Sequence, residues 1–173
     1  MKISNQASNG NKLSFNAEGI TVAFANAFRR YAMVKVPILA IGTAVFYDNI
    51  TSIFDEYLSH RLGLIPLVTP SKLPKEMDVI LSLDVVGPKI VLSKDLKSSD
   101  KEIVPARDEI PIINMKEGQN LRLEGKVQLG TGKEHAKFQA GIVSYGYEGD
   151  KFRFKVESFY QMEPSELAWQ LKS

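Results

Sequence analysis

The sequence predicts an α+β fold with mostly antiparallel strands. Several segments alternate apolar and polar side chains, the period of a half-buried strand. Other stretches repeat apolar side chains every three or four residues, the period of an amphipathic helix. The two kinds do not follow the regular strand–helix rhythm of a parallel sheet, and no repeat of fixed period appears.

From residue 12, Leu13, Phe15 and Ala17 share one face and Lys12, Ser14, Asn16 and Glu18 the other, which predicts a strand over 12–18. Gly19 breaks it. Phe24, Ala27, Phe28 and Tyr31 then predict a helix, with Arg29 and Arg30 off its apolar stripe. Pro37 stops that helix, because a proline disfavours helical geometry in the residue before it. The apolar run 38–47 predicts another strand. Ile53, Phe54, Tyr57, Leu58 and Arg61 predict a second helix over about 53–62, with Gly63 as its stop. The polar stretch that holds Pro70 and Pro74 reads as loop.

Val79, Leu81, Leu83 and Val85 face one way and predict a strand that ends at a Gly87-Pro88 turn. Charge and Pro105 predict irregular backbone over 96–109. Leu121, Leu123, Gly125, Val127 and Leu129 oppose Arg122, Glu124, Lys126 and Gln128 along one long amphipathic strand. Gly125 is expected to bulge or kink it. Phe152, Phe154 and Val156 alternate with Arg153, Lys155 and Glu157 in a further strand, entered through a Gly149-Asp150 tight turn. Pro164 suits the first turn of a closing helix.

A chain of 173 residues makes one or two small domains. With 22 basic and 20 acidic side chains, it lacks the basic excess of a protein that lives by gripping phosphates. There is no cysteine, which excludes disulfides, thiolate zinc sites, iron–sulfur ligation and a cysteine nucleophile; no cofactor is expected. The N-terminus carries no apolar signal core. The most apolar run, 36–41, is far short of the ~20 residues a membrane helix needs. A cytoplasmic protein without membrane association is expected.

Catalytic patterns are missing. His60 and His135 are the two histidines, and neither stands at metal-ligand spacing. Asp55, Ser59 and His60 name the parts of a hydrolase. Adjacent residues on a helix, however, point about 100° apart, so Ser59 and His60 cannot share the required hydrogen bond. Gly130-Thr131-Gly132-Lys133 hints at a phosphate loop but misses its spacing and is followed by Glu134, so it reads as a turn. Arg29 and Arg30 have two readings, solvated arginines or a partner contact.

Three ordered segments carry a family resemblance. They are Phe24-Ala25-Asn26-Ala27-Phe28-Arg29-Arg30 with Val36-Pro37-Ile38-Leu39-Ala40; Asp55-Glu56-Tyr57-Leu58-Ser59-His60-Arg61-Leu62-Gly63-Leu64-Ile65-Pro66-Leu67; and Leu129-Gly130-Thr131-Gly132-Lys133-Glu134-His135-Ala136-Lys137-Phe138. Weaker matches at 93–100 and 156–159 fall in the expected order. Together they resemble the D subunit of archaeal RNA polymerase, kin to the third-largest subunit of eukaryotic polymerase II and to the bacterial α N-terminal domain. The resemblance implies a discontinuous dimerisation domain, an antiparallel sheet plus two helices, from 1–43 and 142–173. A mainly-β second domain, 44–141, is inserted between them.

The implied role is a non-catalytic assembly subunit of DNA-directed RNA polymerase, working in transcription without direct contact to nucleic acid. It would form a heterodimer with the polymerase's smaller L subunit through Phe24, Ala27, Phe28, Tyr31, Leu167 and Leu171. Arg29, Arg30, His60, Arg61, Lys133, Glu134 and His135 would dock the large subunits, mainly the second-largest. Many relatives insert a cysteine-rich domain holding iron–sulfur clusters, and some a zinc loop. Here residues 147–151 simply bridge two strands, so neither carries over. The closing helix is expected to be shorter than the family's long dimerisation helix; it is either naturally short or cut.

Two other classes stand beside this one. A stand-alone nucleic-acid-binding module is suggested by a pI near 8.7 and by Tyr145 and Tyr147. A small enzyme would have to use His60 or His135.

Overall fold

The computed structural model describes residues 1–72 and 78–169. Along the chain run β1 (Lys2–Asn9), β2 (Lys12–Glu18), α1 (Val22–Val34), β3 (Pro37–Asn49), α2 (Asp55–Gly63), β4 (Ile80–Val86), β5 (Lys89–Leu92), β6 (Lys97–Ser98), β7 (Pro111–Met115), β8 (Asn120–Thr131), β9 (Gly141–Glu148), β10 (Lys151–Ser158) and α3 (Pro164–Trp169). The predicted α+β class agrees with this order. Two compact units result, one from Met1–Ile38 with Gly130–Ser173, the other from Leu39–Leu129.

The unit built from both ends holds a four-stranded sheet in the order β1-β2-β10-β9. Antiparallel register sets Leu13 opposite Val156, Phe15 opposite Phe154 and Ala17 opposite Phe152, so the apolar halves of both strands share one face. On that face the Phe15 and Phe154 rings stack at 5.0 Å. Phe28 of α1 meets both edge-on, at 6.2 and 5.1 Å. The Trp169 ring of α3 lies 5.3 Å from Phe15. Edge-to-face pairs add to the area term that dominates such a cluster.

Local chemistry sets the limits of α1. Thr21 caps it, its Oγ1 accepting from the Phe24 N–H at 3.2 Å. Lys35 closes it two residues before Pro37. The buried residues of α1 are Ala25, Phe28 and Ala32. Two alanines beside one phenylalanine let the helix approach the sheet closely.

The continuous unit holds a sheet in the order β3-β8-β4-β6 and a separate β5-β7 pair. Its core joins Leu39 and Ile41 of β3, Leu58 and Leu62 of α2, Leu81 and Leu83 of β4, and Leu121 and Leu123 of β8.

The structure amends two expectations and details a third. Gly125 makes no bulge against β4: β4 and β8 keep an unbroken register from Ile80↔Lys126 to Val86↔Asn120. Its role is close packing, since a Cβ there would lie 2.9 Å from Ile41 Cγ2. By its packing the continuous unit takes in residues 39–129. Leu39 and Ile41 already belong to its core, whereas Phe138 packs back on Gly130 in the other unit. Strand β1 has no counterpart among the expected elements. It is mostly polar, with Ile3 half-buried opposite Ala17, largely exposed, and stands at the sheet's edge.

Candidate functional site

The outward face of α1 is the first candidate surface. Phe24 is 46% exposed and Tyr31 37%, with Ala27 exposed between them. Ala27, Arg30, Tyr31 and Val34 line a hollow of about 300 Å³. At the other end of the helix, Phe24, Phe28, Phe154 and Trp169 line a narrower apolar groove of about 220 Å³.

Phe28 and Leu167 are buried in this chain's own core, at 6% and 1% exposure, so they support the surface from beneath and do not form it. Leu171 lies outside the described residues. The stripe Phe24–Ala27–Phe28–Tyr31 therefore splits. The helix turns Ala25, Phe28 and Ala32 to the sheet and leaves the rest outside. Arg30 sits beside the exposed apolar residues, not off the stripe.

At the C-terminal end of α1 the chain brings in the 131–135 loop. The Lys133 N–H donates to the Val34 carbonyl at 3.0 Å. Gly132 is required here, because a Cβ would stand 2.4 Å from the Met33 carbonyl oxygen. Thr131 Oγ1 donates to Glu134 Oε1 at 3.2 Å, and the Lys137 N–H donates to His135 Nδ1 at 3.0 Å. Lys133, Glu134 and His135 are all exposed. Burial pushes the Lys137 ammonium below the ordinary lysine value, and it stands 5.1 Å over the Phe138 ring. Arg29 is half-buried and spends Nε and Nη2 on Asn26 Oδ1, at 3.2 and 2.9 Å; Arg30 is exposed. Arg30 and the loop thus share one end of α1. Gly132→Ala is expected to push the loop off the helix at a cost of about 1–3 kcal/mol, read from the shift in the urea midpoint at unchanged slope.

His60 and Arg61 belong to the other unit, in the last turn of α2. Asp55 and Glu56 in its first turn and the two basic residues in its last complement the helix dipole. His60 is exposed. Arg61 is tethered: its Nη2 donates to the Pro111 carbonyl at 2.5 Å and its guanidinium lies 5.9 Å over the Tyr57 ring. Its Nε is buried without a hydrogen-bond partner among the described residues.

Sequence reasoning misses the neighbours of Arg61. Phe54 is 80% exposed, Tyr57 54% and Leu64 52%. Tyr57 and Arg61 stand one turn apart on α2, beside the face that buries Leu58 and Leu62, and Phe54 and Leu64 cap its two ends. That pattern is present in the sequence, where it merges into a single apolar stripe.

The other classes gain little from the geometry. Among the described residues no three of His, Asp and Glu are grouped to hold a metal ion. The rings of Tyr145 and Tyr147 pack beside Phe154 and Phe152, at 5.6 and 5.2 Å, on the apolar face of the sheet. Arg153 and Lys155 alternate with those phenylalanines and so point to the opposite face. The tyrosines and the cations meet only in one hollow of the hairpin, where the carboxylates of Glu148 and Asp150 stand among them and disfavour phosphate. No described helix is long and apolar enough to cross a membrane.

Residues 45–146 match the family model described as the RNA polymerase Rpb3/RpoA insert domain. The chain is 44% identical over 142 residues to DNA-directed RNA polymerase subunit Rpo3 of Pyrococcus horikoshii, covering 78% of this chain and 55% of the relative. It is 47% identical over 133 residues to the Rpo3 of Natronomonas pharaonis, covering 77% and 53%. With the Rpo3 of Methanobrevibacter smithii the identity is 41% over 155 residues, covering 83% and 57%. The chain thus spans about half the length of the curated relatives it matches.

Proposed function

Because the chain belongs to the RNA polymerase Rpb3/RpoA family and is similar to archaeal Rpo3, we propose that it is a non-catalytic assembly subunit of a DNA-directed RNA polymerase. It pairs with the smaller L subunit through α1 and α3 and presents that pair to the large catalytic subunits. The exposed apolar face of α1 carries this reading. Phe24, Ala27 and Tyr31 are held outward by a helix whose other face is anchored in an aromatic core. An apolar surface on a rigid helix, rimmed by an arginine, has the composition of a protein–protein interface core.

In this reading the partner's helices cover Phe24, Ala27 and Tyr31, while Phe28 and Leu167 hold the surface in shape. Arg30 and the 133–135 loop, fastened to one end of α1, meet the second-largest subunit. His60 and Arg61, with Phe54, Tyr57 and Leu64 beside them, form a further contact with the large subunits. The chain adds no catalytic group; it holds other subunits in place.

Mixing the chain with an archaeal L subunit at micromolar concentration tests the pairing. One co-eluting peak on size exclusion is the expected result, and two separate peaks overturn it. Arg30→Ala is expected to weaken docking of the large subunits by about 2 kcal/mol or more, as for an arginine at the centre of an interface. The unfolding transition of the isolated variant should stay unchanged, since the side chain is exposed. A variant that unfolds would make Arg30 a structural residue instead.

A further inference from the structure

We propose that the uncovered face of the β1-β2-β10-β9 sheet receives an acidic polypeptide segment, whose carboxylates meet Arg153 and Lys155. Both helices of this unit pack on the opposite face, where Phe15 and Phe154 lie. On this side Arg153 and Lys155 of β10 and Ser144 and Gly146 of β9 are exposed, whereas Asn16 of β2 is buried.

The strand register arranges the outward side chains in rows. In one outer row Lys12 stands opposite Glu157, and the two form an ion pair at 3.5 Å. In the other Glu18 stands opposite Lys151, at 4.0 Å. The two middle rows differ. Lys155 stands between Ser14 and Ser144, and Arg153 between Asn16 and Gly146. Neither cation has an ion pair or side-chain hydrogen bond among the described residues. The outer rows neutralise themselves; the middle rows leave two positive charges over a floor of small uncharged residues.

The surface is concave at that place. One hollow of about 700 Å³ is bordered by three cations, Lys151, Arg153 and Lys155, against two carboxylates, Glu148 and Asp150, with Tyr145 and Tyr147 at its edge. A second, of about 420 Å³, continues across Ser14 and shares Lys155 and Ser144 with the first. Residues 153 and 155 are two apart on one strand, so their side chains stand roughly 6.5–7 Å apart. Alternate side chains of an extended segment have the same spacing, so two carboxylates at positions i and i+2 match both cations at once. Arginine can take its carboxylate with two parallel N–H donors.

The same rows disfavour a nucleic acid. A strand contacting about 6–10 phosphates would have to run past the carboxylates of Glu18, Glu148 and Glu157 that flank the two cations. A short acidic peptide needs only the middle.

The test uses the full chain and a fluorescein-labelled peptide of four Ser-Glu repeats, followed by anisotropy at low ionic strength. Arg153→Ser with Lys155→Ser should weaken binding about tenfold or more. Lys94→Ser with Lys101→Ser removes the same charge from exposed positions in the other unit and should leave the affinity within about twofold. Trp169 fluorescence verifies the fold of each variant. If the first double variant is misfolded, Arg153→Gln alone supplies the reading, with a loss of about threefold or more expected. No binding by the unsubstituted chain overturns the proposal, as does equal weakening by the two double variants. Tighter binding of an oligothymidylate than of the peptide assigns the face to nucleic acid and overturns it too.

Discussion

Phe28→Ala is expected to lower the unfolding free energy of the isolated chain by about 3–5 kcal/mol. The Phe28 ring is edge-on to both Phe15 and Phe154, and these three rings fill the space between α1 and the sheet. Its removal leaves a cavity that no neighbour can close, because Ala25 and Ala32 beside it on the helix are too small to move in. Urea unfolding followed through the single tryptophan measures the effect, since the Trp169 ring lies 5.3 Å from Phe15 in the same cluster. A loss below about 1 kcal/mol would mean that the aromatic cluster does not hold the helix to the sheet.

Replacing Phe24 and Tyr31 together by alanine is expected to do the opposite. Both rings are substantially exposed, so the isolated chain should lose less than about 1 kcal/mol of stability. Pairing with the L subunit should weaken by about 3 kcal/mol or more, beyond a hundredfold in Kd, because aromatic side chains at an interface centre are where binding energy concentrates. Calorimetric titration of the variant with that partner gives the number. If pairing is unchanged while the chain unfolds more easily, the two rings belong to this chain's own core and the assembly surface lies elsewhere. The two experiments together separate what holds α1 in place from what α1 offers to others.

The contrast also explains which parts of the molecule are legible in the sequence. Period-two segments with large apolar residues, such as Phe152 to Val156, specify both the strand and its buried face, because one face of the sheet is sealed by helices. Helix α1 lies where its periodicity predicts, but its phase differs. Bulky Phe24 and Tyr31 dominate the pattern, whereas the alanines at 25 and 32 set the buried side through close approach. Strand β1 carries no signal because an exposed edge needs no apolar face, only hydrogen bonds to its neighbour. The short pair β5-β7 is equally silent. Each strand is four or five residues long, and the pairing depends on residues about twenty positions or more apart. Gly125 stands out in its strand, but its reason lies in Ile41, far away in sequence. Among the docking candidates, the motif around His60 and Arg61 is legible, while its exposed aromatic neighbours show only once α2 is packed.

One sheet is closed by β2 pairing with β10, which leave the ribosome more than a hundred residues apart. The continuous unit can fold as soon as its last strand emerges, whereas α1 must wait, its aromatic side chains unsheltered, until Phe154 arrives. Synthesis therefore has a built-in order. The outward face of α1 is held in place only after translation has passed β10.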